Sequence, residues 1–176
     1  NAIDFCVVTP DDPLALGMVD VMEEAGIPCF GPKANAAIIE ASKAFSKDLM
    51  KKYGIPTADY ETFDNEKDAL HYIEEKNTFP IVIKADGLAL GKGVLICETL
   101  DDAKTALREM MVEHVFGLSG NKVVVEEFMT GKEVSVLAFT DGNVVKPMIS
   151  SMDHKRAYDN DEGLNTGGMG TIAPSP

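Results

Sequence analysis

A chain of 176 residues with 45% hydrophobic content can bury one sizeable core or two small ones. Its net charge of −13 argues against a nucleic-acid partner, although an acidic protein still holds phosphate wherever positive charge is local. Cys6, Cys29 and Cys97 share no short spacing, which suits a reducing cytoplasm and makes neither a disulfide frame nor a metal knuckle; no stretch is apolar for the length of a membrane span.

Ile3 to Val8 is apolar apart from Asp4, the pattern of a buried parallel strand. Asp12-Pro13 marks a helix start, Leu14, Leu16, Val19, Val21 and Met22 give that helix an apolar side, and Gly26 stops it. Ile27 to Phe30 is a second short strand. This unit predicts the end of a doubly wound α/β domain over residues 1–32. Ala34 to Tyr53 reads as helix, broken near Ser42, which can cap the second half. Tyr60 to Phe63 is a short strand, and Asn65 to Lys76 a helix with Ala69, Leu70, Tyr72 and Ile73 on its apolar side. Strands Ile81 to Lys84 and Val94 to Cys97 flank a glycine-rich loop. Asp101 is expected to cap a helix running to about Glu113, Val115 to Asn121 is a loop, and Lys122 to Glu126 is a strand. Glu133 to Thr140 and Asn143 to Ile149 are strands joined at Asp141-Gly142, a hairpin signal. From Ser150 onward no regular element is predicted. The chain opens on Asn1, directly before a strand-like run, and closes on Ala173-Pro174-Ser175-Pro176; the expectation is a piece of a longer protein.

The glycine-rich loop carries the strongest chemical signal. Lys84 ends one strand, and Gly87, Gly91, Lys92 and Gly93 follow before the next. Glycines admit a polyanion close to the backbone, and lysines neutralise it. The loop is one residue too short for a Walker A motif, Gly93 stands where that motif needs Ser or Thr, and no helix follows. The Rossmann pattern also opens a helix. A glycine loop between antiparallel strands instead serves as a flap over phosphates; the competing reading is a plain hairpin with chance lysines. Downstream, Val123 to Met129 is a strand that turns acidic at Glu126-Glu127 and leaves the sheet, with Glu133 beyond it. Such a segment can read an adenine edge and a ribose, or its carboxylates can simply face solvent.

Lys43, Lys84, the glycine flap and the acidic linker, in that order, resemble an ATP-grasp enzyme. Ser42-Lys43-Ala44-Phe45-Ser46-Lys47, Lys84-Ala85-Asp86-Gly87, Asp153-His154-Lys155-Arg156 and Asn165-Thr166-Gly167-Gly168-Met169-Gly170 narrow this to a resemblance to the phosphoribosylamine–glycine ligase family of purine biosynthesis. The resemblance implies an α+β fold, the central part of an ATP-grasp core. The core would start at residues 33–60, carry a flap subdomain at 61–125 and continue with a substrate loop at 126–176. It implies that Lys43, Lys84, Gly87, Gly91, Lys92 and Gly93 contact ATP phosphates, that Glu126, Phe128 and Met129 line the adenine, and that Glu133 binds the ribose. Asp153, Lys155, Asn165, Thr166 and Gly167 would sit near glycine and 5-phosphoribosylamine. The implied cofactors are ATP and Mg2+ or Mn2+, with a metal-binding Glu and Asn that would follow Pro176, and a Gly-rich turn that would precede Asn1. On that basis these residues alone are expected not to catalyse the ligation. The implied protein is a cytoplasmic monomer acting on small molecules. Three positions depart from the family pattern: Leu90 in the flap, Leu164 before the Asn-Thr-Gly-Gly segment, and the Thr9–Asp12 turn. The competing functions are another ATP-grasp ligase or carboxylase, which the Asp153 and Asn165 segments count against, and a non-catalytic ATP-binding module.

Overall fold

The computed structural model describes residues 3–89 and 92–176. Leu90 and Gly91, the latter an expected phosphate-loop residue, lie outside the described residues, as do the side chains of Asp161, Leu164 and Asn165. The chain divides into two compact units, residues 1–89 with 93–128 and residues 90–92 with 129–176. No helix among the described residues is long and apolar enough to cross a membrane.

The first unit begins with β1 (Cys6–Val7), α1 (Asp11–Ala15), α2 (Met18–Glu24) and β2 (Cys29–Phe30). The two strands pair in parallel, as the strand–helix–strand pattern implies. The expected single helix from Asp12 is broken at Gly17, whose φ of +82° disfavours any residue with a side chain. The expected burial of the first strand is also corrected: Val8 is buried, but Ile3, Phe5 and Val7 are exposed. A two-stranded sheet is covered here on one side, where Val19 and Leu14 crowd Gly31.

Next come α3 (Ala34–Ala41) and α4 (Lys43–Tyr53), separated by Ser42 in extended conformation. The Ser42 hydroxyl accepts from Phe45 N–H at 3.1 Å and caps α4, as expected. Gly54 closes the helix at φ +65°. The chain continues through β3 (Tyr60–Phe63), α5 (Glu66–Lys76), β4 (Ile81–Ala85), β5 (Val94–Cys97), α6 (Leu100–Leu107) and β6 (Val123–Glu127). These four strands form an antiparallel sheet in the order β3-β6-β4-β5. The cap of α6 is Thr99 rather than Asp101. Thr99 Oγ1 accepts from Asp102 N–H and the Asp102 carboxylate accepts from Thr99 N–H, so a reciprocal capping box outcompetes the single aspartate. A π-helical turn (Arg108–Val112) and a 3-10 turn (Gly117–Asn121) lead from α6 back to β6.

The core lies between this sheet and α5 and α6. Ala69, Ile73, Ala103, Ala106 and Leu107 pack against Ile81, Ile83, Ala85, Val123 and Val125. Strand side chains alternate in direction, so Val82, Lys84, Val124 and Glu126 point the other way. The register agrees, because Val82 stands opposite Glu126 and Lys84 opposite Val124. One sheet face is therefore committed to the core and the other carries charge.

In the second unit β7 (Ala138–Thr140) and β8 (Val145–Pro147) pair antiparallel, shorter than the expected strands, and four residues, Asp141 to Val144, join them where a two-residue turn at Asp141-Gly142 is expected. The Asp141 carboxylate accepts from Asn143 N–H and Val144 N–H at 2.9 and 2.8 Å, and Gly142 sits at φ +89°. The expectation of no regular element after Ser150 is overturned. β9 (Met152–Tyr158) and β10 (Glu162–Ile172) form an antiparallel pair. β10 is rich in glycine and lacks the β-branched alternation by which strands are recognised. Its backbone carries the pairing, and the pairing is irregular: Asn165 opposes Arg156 and Gly170 opposes His154, so residues 166–169 form a wide bulge.

Candidate functional site

On the charged face of the four-stranded sheet, Lys84 Nζ lies 3.0 Å from Glu126 Oε2. Lys47, from α4, pairs with the same oxygen at 3.0 Å. It also donates to Thr57 Oγ1 at 2.8 Å and to the Ala58 carbonyl at 3.4 Å. Glu126 is only 5% exposed, and its second oxygen, Oε1, is the one buried side-chain polar atom without a hydrogen-bond partner among the described residues. A buried acceptor without a donor is costly in an apolar surrounding and is a place where a ligand N–H can bond.

The root of the glycine loop is tied to α4. The Asp86 carboxylate accepts from Ser42 Oγ at 3.0 Å and from Ala44 N–H at 2.7 Å, and the Asp86 carbonyl accepts from Lys43 N–H at 3.1 Å. The helix N-terminus is thus already occupied by a carboxylate, so an incoming anion must be met by lysine side chains instead. Lys43 Nζ donates to the Gly87 carbonyl at 2.9 Å. Burial pushes the Lys43 ammonium below the usual lysine range; Asp86 resists the shift and Lys84 adds to it. A group in that state gains from a nearby anion. Gly87 and Gly93 are needed for space. A Cβ on Gly87 would lie 2.5 Å from Ser119 Oγ, and one on Gly93 would lie 2.7 Å from Ala89 Cβ. Ser119 Oγ donates in turn to the Leu88 carbonyl at 2.9 Å. Phe128, just past β6, is part-exposed. It lines a cleft of about 300 Å³ with Tyr72, Lys76, Phe79, Pro80 and Glu127, which includes none of Lys43, Lys47 and Lys84. Glu126 also lines this cleft, so the carboxylate that Lys47 and Lys84 share stands in its wall while the three lysines lie outside it.

In the second unit, Lys155 pairs with both oxygens of Glu133 at 3.1 and 3.2 Å. Thr166 Oγ1 donates to the Lys155 carbonyl at 2.8 Å and accepts from Gly168 N–H at 3.0 Å, which pins the bulge of β10. Gly168 has φ +122°, and a Cβ there would lie 3.0 Å from Asp153 Oδ1. Asp153, Gly167 and Gly168, with Ser135 and Ser151, line an open cavity of about 430 Å³. Lys92 and Met129 also belong to this unit, and both are exposed. The structure therefore gathers Lys43, Lys84, Gly87, Gly93, Glu126 and Phe128 in the first unit. It gathers Glu133, Asp153, Lys155, Thr166 and Gly167 in the second. Among the described residues no group of three or more His, Cys, Asp or Glu could hold a metal ion.

Two residues of the first unit were missed from the sequence, Lys47 and Asp86. Lys47 follows Ala44 by three positions, which places it on the buried face of α4. A lysine at an otherwise apolar helical position was the available signal.

A family model described as phosphoribosylglycinamide synthetase, ATP-grasp (A) domain, matches residues 41–176, and one described as the N domain of the same enzyme matches residues 1–40. The chain is 53% identical over 174 residues to a phosphoribosylamine–glycine ligase of Listeria monocytogenes, covering 99% of this chain and 41% of that protein. It is 51% identical to the Haemophilus influenzae protein of the same name, covering 99% of this chain and 40% of the relative. Among solved structures, the phosphoribosylamine–glycine ligase of Thermotoga maritima superposes with a TM-score of 0.77 at 38% identity, over 84% of this chain and 38% of that one. A D-alanyl-alanine synthetase A of Vibrio cholerae shares the fold, with a TM-score of 0.64 at 23% identity over 86% of this chain and 45% of that one. The chain spans about two fifths of the length of the curated relatives it matches.

Proposed function

The chain belongs to the phosphoribosylglycinamide synthetase family, and from that premise we propose that its protein joins glycine to 5-phosphoribosylamine at the expense of ATP. The glycine carboxylate attacks the γ-phosphorus, and ADP leaves with the bridging oxygen. The amine of phosphoribosylamine then attacks the carbonyl carbon of the glycyl phosphate. A C–N bond forms, the C–O bond to phosphate breaks, and the nitrogen loses one proton. Charge spreads over the transferring phosphoryl group, so fixed cations and N–H donors supply most of the catalysis, and no side-chain nucleophile is required.

The observation that carries this reading is the Lys84–Glu126 pair at 3.0 Å on the sheet face that leaves the core, with Glu126 Oε1 unpartnered. Lys43 and Lys84 meet the phosphates in this reading, and the segment Gly87 to Gly93, with Lys92, folds over them. Glu126 Oε1 accepts from the adenine amino group, Phe128 and Met129 line the base, and Glu133 accepts the ribose hydroxyls. Asp153, Lys155, Asn165, Thr166 and Gly167 serve glycine and phosphoribosylamine. A Mg2+ or Mn2+ ion, when bound, would neutralise polyphosphate charge. The described residues assemble no cluster for it, and they act through their own side chains and backbone. The proposed setting is the cytoplasm, with a monomeric protein and small-molecule partners.

The test is ADP formation by the full-length protein. Release should require both glycine and phosphoribosylamine, and Lys84→Ala should lower kcat/KM for ATP about 100-fold, the scale of one lost charge-stabilising contact. ATP binding without substrate-dependent turnover would overturn the ligase reading in favour of a nucleotide-binding module.

A further inference from the structure

The two lysines that share Glu126 Oε2 are not equivalent. The Lys47 side chain is 9% exposed and the Lys84 side chain 27%. Three oxygens surround the Lys47 ammonium: Glu126 Oε2 at 3.0 Å, Thr57 Oγ1 at 2.8 Å and the Ala58 carbonyl at 3.4 Å. Two hydrogen bonds and an ion pair thus hold this ammonium where it stands. The ammonium also lies over the Tyr60 ring, with Nζ 5.5 Å from the centroid. Lys84 donates to Glu126 alone among the described residues, and it is the more exposed of the pair. One lysine is anchored and the other is able to move.

The difference matters because Glu126 is buried. Were Lys84 its only counter-ion, drawing Lys84 toward a phosphate would leave an unpaired carboxylate out of water, and nucleotide binding would have to bear that penalty. Both lysines also hold the same oxygen, which keeps Oε2 occupied and leaves the buried Oε1 as the acceptor without a partner.

We propose that Lys47 is a positioning residue: the permanent counter-ion that keeps Glu126 paired and oriented while Lys84 passes its bond from Glu126 to the nucleotide. The proposal rests on the assignment of Glu126 and Lys84 to the nucleotide site, and it assigns Lys47 no contact with the nucleotide. It deepens that reading by naming what fixes the acceptor that reads the base. A base with a 6-amino group donates to Oε1, whereas a 6-oxo base presents a second acceptor and is repelled. Base preference therefore depends on Lys47 at a distance.

The experiment is titration of the full-length protein with ATP and with ITP, which differ at the 6-position, so the readout does not require turnover. Lys47→Met should weaken ATP binding about tenfold and bring the ATP and ITP affinities together; combined with Glu126→Gln it should bind ATP as Glu126→Gln does alone, a coupling of about tenfold. Lys47→Arg, which keeps the charge, should retain most of the ATP preference. Thr57→Val loosens Lys47 without removing its charge and guards against misfolding of the methionine variant. It should shift the ATP-to-ITP ratio in the same direction by a few-fold, on the scale of one lost hydrogen bond. Independent, multiplicative effects of Lys47→Met and Glu126→Gln would overturn the proposal, as would weaker ATP binding with an unchanged ATP-to-ITP ratio. If Glu126→Gln itself leaves both affinities unchanged, the underlying site assignment fails and the role of Lys47 fails with it. If Glu126→Gln abolishes the preference while Lys47→Met does not, only the role of Lys47 fails.

Discussion

Two lysine–glutamate pairs of nearly equal length sit in the two units of this chain. Lys47–Glu126 measures 3.0 Å and Lys155–Glu133 measures 3.1 Å, but their side chains are 9% and 5% exposed in the first case and 46% and 63% in the second. Distance alone would rank them together. Burial separates them, because a buried ion that loses its partner cannot turn to water, whereas an exposed ion can. The first pair is a fixed feature of the folded sheet face. The second is a contact that solvent and salt can replace at little cost.

The sharpest way to break this contrast is to remove the acid from each pair. Glu126→Leu should destabilise the folded chain by about 3–5 kcal/mol, because Lys47 is left charged and enclosed. Glu133→Ala should change stability by about 1 kcal/mol or less. Denaturant unfolding of the two variants measures both. Equal losses would mean that burial does not divide the pairs as the geometry implies.

Much of the first unit is legible in sequence because its signals are local. Asn65 to Lys76 and Ile81 to Lys84 carry clear apolar periods, and Ser42 stands where a cap is wanted. Lys84, Gly87 and Glu126 stand out for the same reason, since each belongs to a short chemical pattern. Lys47 does not, because its partner is far along the chain and a lysine on a helix is ordinarily solvated. Asp86 reads as a loop residue until Ser42 Oγ and Ala44 N–H are seen donating to it across 44 and 42 positions. The β9–β10 pair fails for a different reason. Its residues are chosen for turns and close approach, so neither alternation nor β-branching announces the strand.

A second test sharpens the comparison by asking how far the order of the first unit depends on the link between α4 and the loop root. Ser42→Ala removes a cap to Phe45 N–H and a donor to Asp86 together. The expected loss is about 1–2 kcal/mol, at the upper end for an N-cap because the Asp86 carboxylate also loses a partner. Nucleotide affinity should fall as well, since the Lys43 ammonium is held at Gly87 O beside that link. A loss of stability with unchanged affinity would confine Ser42 to helix capping.

The smallest expected effect lies in the second unit, at the β7–β8 turn. Backbone N–H groups of Val144 and Asn143 hold the Asp141 carboxyl below the usual carboxylate range. A folded-state value below the unfolded one means that the folded form binds this proton less readily. The stabilisation is therefore fully present above the ordinary carboxylate value, and it fades as pH falls through the lowered folded value. Asp141→Ala should flatten that part of the acid stability profile and leave neutral-pH nucleotide binding untouched, because the side chain's bonds stay within its own turn. Thermal unfolding of the two proteins across the acid range gives the comparison. Parallel profiles would show that the turn bonds persist when the carboxyl is protonated. The difference should remain well below that between Glu126→Leu and the parent chain, because Asp141 in either state keeps access to water.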